Sequence, residues 1–118
     1  MKVWQQNLDR GMENHQQLLQ KMGRDAYQFA MLQEPYIDFN NLTRANSHWR
    51  VVYPSPHVSG KGKPKPRAVT LVNTAISTDT WTQLQVPSLD MVAVEVKGSA
   101  GRIRMVNIYN DGDHNETL

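Results

Sequence analysis

The apolar run Phe29-Ala30-Met31-Leu32 ends in Gln33-Glu34-Pro35, in the stretch FAMLQEPYIDF. Asn7 closes an earlier run, VWQQN. If both runs are parallel strands, their polar ends emerge at one edge of a sheet, the edge where open α/β folds place ligands. An acid and an amide held by rigid strands suit a hard cation. Mg²⁺ takes oxygen donors, often only one or two carboxylates, and completes its shell with water and substrate phosphate. Tyr109 ends a later run, MVNIY. Its phenol can hydrogen-bond a phosphate oxygen or a nucleophilic water. Each residue also has a plainer reading. Glu34 is then a solvated strand end, Asn7 a helix-entry residue, and Tyr109 a ring that closes a core with its hydroxyl in solvent. Periodicity alone favours the plainer set.

The loop SGKGKPKPR carries Lys61, Lys63, Lys65 and Arg67 with no acid among them. Such a patch attracts phosphates; a solvated, irregular loop explains the same composition equally well. His15, His48, His57 and His114 show no metal-ligand spacing. His15 falls on an apolar helix face and reads as a tolerated core-edge histidine. Neither a GxxxxGK phosphate loop nor a GxSxG elbow is present. Trp4, Trp49 and Trp81 read as packing residues.

These side chains depend on the elements that carry them. Residues around Val3 form a short strand. Leu8, Met12, His15, Leu19 and Met22 then recur at helical spacing, with Asp9 in the first turn and Gly23 as the stop. YQFAMLQ returns as a strand. Strand, helix and strand in that order predict a parallel pair. WRVVYP, AVTLVN, WTQLQV, MVAVEVKG and RIRMVNIYN supply five more strands. GSAG joins the last two as an antiparallel hairpin. At the C-terminus, NDGDHNETL has helix-start chemistry, with Asp or Asn as the cap and Glu116 in the first turn. One turn buries no face, so residues 1–118 are expected to be the N-terminal portion of a domain cut short.

A chain of 118 residues allows one small domain, burying roughly two thirds of its unfolded surface. Thirteen basic against eleven acidic residues leave a net charge of +2, too small to argue for nucleic acid by itself. The absence of cysteine excludes disulfides, thiolate nucleophiles and Cys-type zinc sites. It fits a reducing compartment, and the expectation is an intracellular protein, nuclear or cytoplasmic. No apolar run approaches the ~18 residues of a membrane span, so no membrane is expected as a partner.

Taken in order, WQQNLDR, QEPYIDF, HWRVVYP, LVNTAISTDTWTQ and NIYND resemble the endonuclease/exonuclease/phosphatase superfamily, of DNase I-like fold. The closer likeness is to the endonuclease domain that precedes reverse transcriptase in non-LTR retrotransposons, particularly fungal ones. It runs from Val3 to about Leu118. The resemblance implies the first half of a four-layer α/β sandwich, one mixed sheet with a helix packed on it. It implies Asn7 and Glu34 at a Mg²⁺ or Mn²⁺ site, Tyr109 near the phosphate, and hydrolysis of a phosphodiester by a metal-activated water. DNA is the implied partner, with the missing C-terminal half of the domain and a downstream reverse transcriptase. The family's His–Asp pair and second acidic motif come after the NIYN strand. The nine residues past Tyr109 do not supply them in that context, and His114 is not in the setting of the general base. Little or no catalysis is therefore expected of the chain alone. The sheet's inner face, without its second half, is expected to be bare. Rival readings are a phosphoesterase of the same superfamily acting on another substrate, a non-catalytic nucleic-acid-binding remnant that uses the basic loop, and an unselected relic.

Overall fold

The structure, a computed structural model, describes residues 1–22 and 27–110. The expected helix stop at Gly23, the C-terminal helix start with Glu116, and His114 lie outside them. β1 (Val3–Asn7) leads into α1 (Met12–Met22), which returns the chain to β2 (Phe29–Gln33). β3 (Trp49–Val52), β4 (Ala68–Asn73), β5 (Trp81–Leu84), β6 (Met91–Gly98) and β7 (Gly101–Ile108) follow. The first four strands form one sheet in the order β1-β2-β4-β3, and the last three a second, β5-β6-β7. β1 and β2 are parallel, as the intervening helix requires, while β4 runs antiparallel to both β2 and β3. The second sheet is antiparallel throughout. Its β6–β7 turn is made possible by Gly101, at φ +127°.

Alternation along the strands builds two cores. Ala30 and Leu32 of β2 and Val69 and Leu71 of β4 face α1, where they meet Leu18, Met22 and Trp49. Phe29, Ala68 and Val72 point the other way and pack on Val92, Val94 and Val96 of β6. The helix-bearing mixed sheet is present as expected. The inner face expected to be bare is covered, because β6 alternates strictly and turns its valines onto it. Exposure moves one layer outward: Val106 and Ile108 of β7 are 45% and 50% accessible. Glu95 sits beside them between Arg102 at 3.2 Å and Arg104 at 3.1 Å.

The helix begins later than its apolar spacing predicts. Asp9 and Arg10 lie at φ +52° and +59°, a left-handed turn that an α-helix of L-residues cannot continue through. Glu13, not Asp9, is the acid of the first helical turn. Leu8 nonetheless packs beneath the helix, fully buried, whereas Met12 is 45% exposed.

A buried polar cluster joins the sheets. Asn107 of β7 is buried and donates from Nδ2 to the carbonyls of Leu32 (3.1 Å) and Val69 (2.8 Å). Its Oδ1 accepts from Gln33 Nε2 at 2.5 Å.

His15 is buried on α1. Nδ1 accepts from the Tyr36 amide at 3.4 Å, which assigns the proton to Nε2, 2.7 Å from the Arg44 carbonyl. Burial pushes its pKa below the ordinary 6.5, and the bond to the Arg44 carbonyl only partly opposes that. Below pH 6.5 the unfolded chain takes up a proton that the folded chain resists. The stability present above that pH is therefore lost as pH falls through it. Thermal melts should show Tm dropping between pH 7.5 and 5.5, with a shallower slope for His15→Gln. An equal slope in that variant would refute the assignment.

Candidate active site

The register of β1 on β2 pairs Asn7 with Gln33, so Glu34 leaves β2 at the end of the sheet where Asn7 leaves β1. Strands in a sheet are about 4.8 Å apart, which makes the two residues neighbours on one rim. The Asn7 side-chain oxygen accepts the Asp9 amide at 2.8 Å, shaping the left-handed turn. That turn brings Arg10 back over β2, where its amide donates to the Glu34 carbonyl at 2.9 Å. The Glu34 amide donates to the Arg67 carbonyl, also at 2.9 Å. Glu34 is thus gripped through its backbone from both sides. It is held at φ +48°, a conformation that costs a non-glycine residue roughly 1–2 kcal/mol. Such strain clusters where the surrounding structure over-determines a functional residue. Pro35 is buried directly behind it and turns the chain away.

Arg67 organises the adjoining wall. Its amide donates to the Leu89 carbonyl at 3.0 Å, and its Nε donates to Asp90 Oδ1 at 2.9 Å. Its guanidinium lies 5.3 Å from the centre of the Tyr109 ring. The Tyr109 amide in turn donates to the Asp90 carbonyl at 2.8 Å. The residue following β7 is therefore tied to the Glu34 rim through Arg67 and Asp90.

A cavity of about 460 Å³ opens beside Glu34. Pro35, Tyr36 and Ile37 line one side, and Pro64, Lys65, Pro66 and Arg67 the other. Lys65 and Arg67 thus face the Glu34 cavity. Neither Asn7 nor Tyr109 lines it, and Lys61 and Lys63 are exposed on the loop beyond it. That loop has a fixed base: Asn41 Nδ2 donates to the carbonyls of Val58 (2.9 Å) and Pro64 (2.8 Å).

Arg10, Asp90 and Asn107 escape a reading of the sequence. Asn107 carried a signal, a polar residue on the inward phase of an alternating strand. Arg10 and Asp90 carried none. The tripeptide Asp113-His114-Asn115 spells an Asp-x-Asn pattern that the sequence reading passes over; it lies outside the described residues.

Among the described residues no three His, Asp or Glu side chains gather as a closed metal cage. Mg²⁺ asks less, since it keeps several waters and binds through one or two carboxylates. Glu34 with the Asn7 amide beside it meets that lower demand.

A helix-covered mixed sheet, backed by an antiparallel sheet and carrying polar residues at the ends of its parallel strands, is the architecture of part of a DNase I-like α/β sandwich. Among solved structures, the fold is similar to the "Endonuclease domain of TRAS1, a telomere-specific non-LTR retrotransposon", with a TM-score of 0.64 and 23% sequence identity. The match covers 95% of this chain and 45% of that one, so the chain spans less than half the length of that structure. No family profile and no curated protein sequence matches the chain. Among the described residues no helix is long and apolar enough to cross a membrane.

Proposed function

We propose that this chain carries one side of the active site of a metal-dependent endonuclease that cuts DNA. Glu34 and Asn7 are the proposed ligands of Mg²⁺ or Mn²⁺, and Tyr109 the residue beside the phosphate. The observation that supports this best is the in-register parallel pairing of β1 and β2. It brings an acid and an amide to one rim, in a chain folded like part of an endonuclease domain. A bound Mg²⁺ supplies positive charge to the phosphoryl oxygens and lowers the pKa of a coordinated water. The Glu34 carboxylate holds the cation. The Asn7 amide fixes the turn that clamps Glu34 and offers a further oxygen lone pair. Lys65 brings positive charge to the phosphate path, and the Tyr109 phenol is a donor for a phosphate oxygen. The rest of such a domain, and a reverse transcriptase after it, are the partners this reading entails.

Residues 1–118 are proposed to have little or no nicking activity. Among the described residues no general base paired with an acid stands at this rim, and losing a member of a cooperating set removes most of the rate. Supercoiled plasmid incubated with the chain and Mg²⁺ should be nicked no faster than with Glu34→Ala. Robust nicking that Glu34→Ala abolishes would overturn the inactivity while upholding the site. Robust nicking that Glu34→Ala leaves intact would overturn the site.

A further inference from the structure

We propose that the cavity beside Glu34 is a nucleotide-binding pocket that takes one unstacked base together with its phosphate. The inference rests on the nuclease reading and adds to it a specific ligand contact, on the side of Glu34 away from β1.

The lining has two chemical parts. Pro35, Ile37, Pro66 and Leu89 give it apolar walls on opposing sides. Proline rings and branched aliphatic side chains offer broad surfaces against which a planar heterocycle can lie. The charged part consists of Arg10, Lys65 and Arg67 against Glu34 and Asp90. Asp90 is already engaged by Arg67 at 2.9 Å, which leaves Glu34 as the one lining acid set against Arg10 and Lys65. Arg10 and Lys65 therefore set the sign of the remaining field, which is positive. Both are exposed, so they stand at the mouth rather than in the depth. A ligand that fits must be flat and apolar at one end and anionic at the other.

Size agrees. About 460 Å³ lies within the range of roughly 300–1,000 Å³ found for small-molecule sites, room for one nucleotide and not for a duplex. The walls are also braced. Ile37 bridges to Thr43, and Asn41 pins the Pro64 carbonyl. Arg67 is tied at its amide, its carbonyl and its guanidinium. A pre-formed pocket of this kind suits a base that has left its stack, because apolar walls with a few polar groups at the mouth are what small-molecule sites use. A paired, stacked duplex would reach only the mouth and meet Arg10 and Lys65 there.

The test uses the 118-residue chain, in EDTA so that the metal rim takes no part. Binding of 2′-deoxyadenosine 5′-monophosphate and of 2′-deoxyribose 5-phosphate is measured by ligand-observed NMR. The base-bearing ligand should bind at least tenfold more tightly. Leu89→Glu should remove that advantage, and Ile37→Ser, a milder change, should reduce it several-fold in a chain whose amide spectrum remains folded. Lys65→Ala should weaken both ligands alike. Equal binding of the two ligands, absence of binding by either, or a base preference that survives both wall substitutions would overturn the pocket. None of those outcomes touches the metal site. Mg²⁺ titration of the same chain reports on Glu34 separately, so the two proposals fail independently.

Discussion

Asn107→Leu should lower the unfolding free energy by about 3 kcal/mol in urea melts. The residue is 2% exposed and lies between two sheets, beside the apolar core of Phe29, Val72 and the β6 valines. Leucine keeps the approximate volume and removes every polar contact. The Gln33 amide then loses its acceptor, and the Leu32 and Val69 carbonyls lose a donor, all inside the fold. A buried polar group left unsatisfied costs about 1–3 kcal/mol; the carbonyls keep a second lone pair within reach of the β2–β4 ladder, so the Gln33 amide dominates. For a domain with a total stability of about 5–15 kcal/mol, this is a large share. Asn107→Asp should do comparable harm, because it keeps the shape but loses every bond the amide donates, to Leu32, Val69 and the Thr70 hydroxyl. A melt for Asn107→Leu within about 0.5 kcal/mol of the parent would show that the contact does not hold the sheets together. The position matters beyond stability, since Gln33 precedes Glu34 and pairs with Asn7.

Glu34→Gln should weaken Mg²⁺ binding at least 100-fold while leaving the fold intact. Removing only an outer partner of a metal ligand typically costs about 10–100-fold, and here the change removes the proposed carboxylate itself. Glutamine has the same length and tolerates the same backbone conformation, so any loss is attributable to charge. Isothermal titration, or Mn²⁺ relaxation as a surrogate, gives the affinity; far-UV and thermal melts give the fold. Unchanged affinity would remove Glu34 from the site whatever the plasmid assay shows. Asn7→Ala should weaken binding less, yet also lower Tm, because the amide anchors the Asp9 turn.

Much of the skeleton was legible in residue order. All seven strands fall on runs with alternating or continuous apolar residues, and polar or turn-forming residues separate them. The parallel β1–β2 pair follows from the helix that separates them. The helix start was not legible, because periodicity continues through Leu8 whether or not the backbone is helical. The left-handed pair Asp9 and Arg10 is dictated by bonds to Asn7 and Glu34, which no local rule contains. Layering was hidden for a similar reason. The valines of β6 announce an apolar face, but not that its partner is the sheet containing Phe29 and Val72. The rim was legible where a residue's type met a strand end, at Asn7 and Glu34. It was illegible where a cluster depends on long-range return of the chain, as with Arg67, Asp90 and Tyr109.

Arginine and glutamate occupy backbone conformations at positions 10 and 34 that glycine adopts with far less strain. Replacing Glu34 by glycine would relieve the twist and remove the carboxylate together. A side chain held in such a conformation is retained at a cost to stability. On the proposed nuclease reading, glycine at position 34 of a related chain would mark loss of the carboxylate that holds the metal.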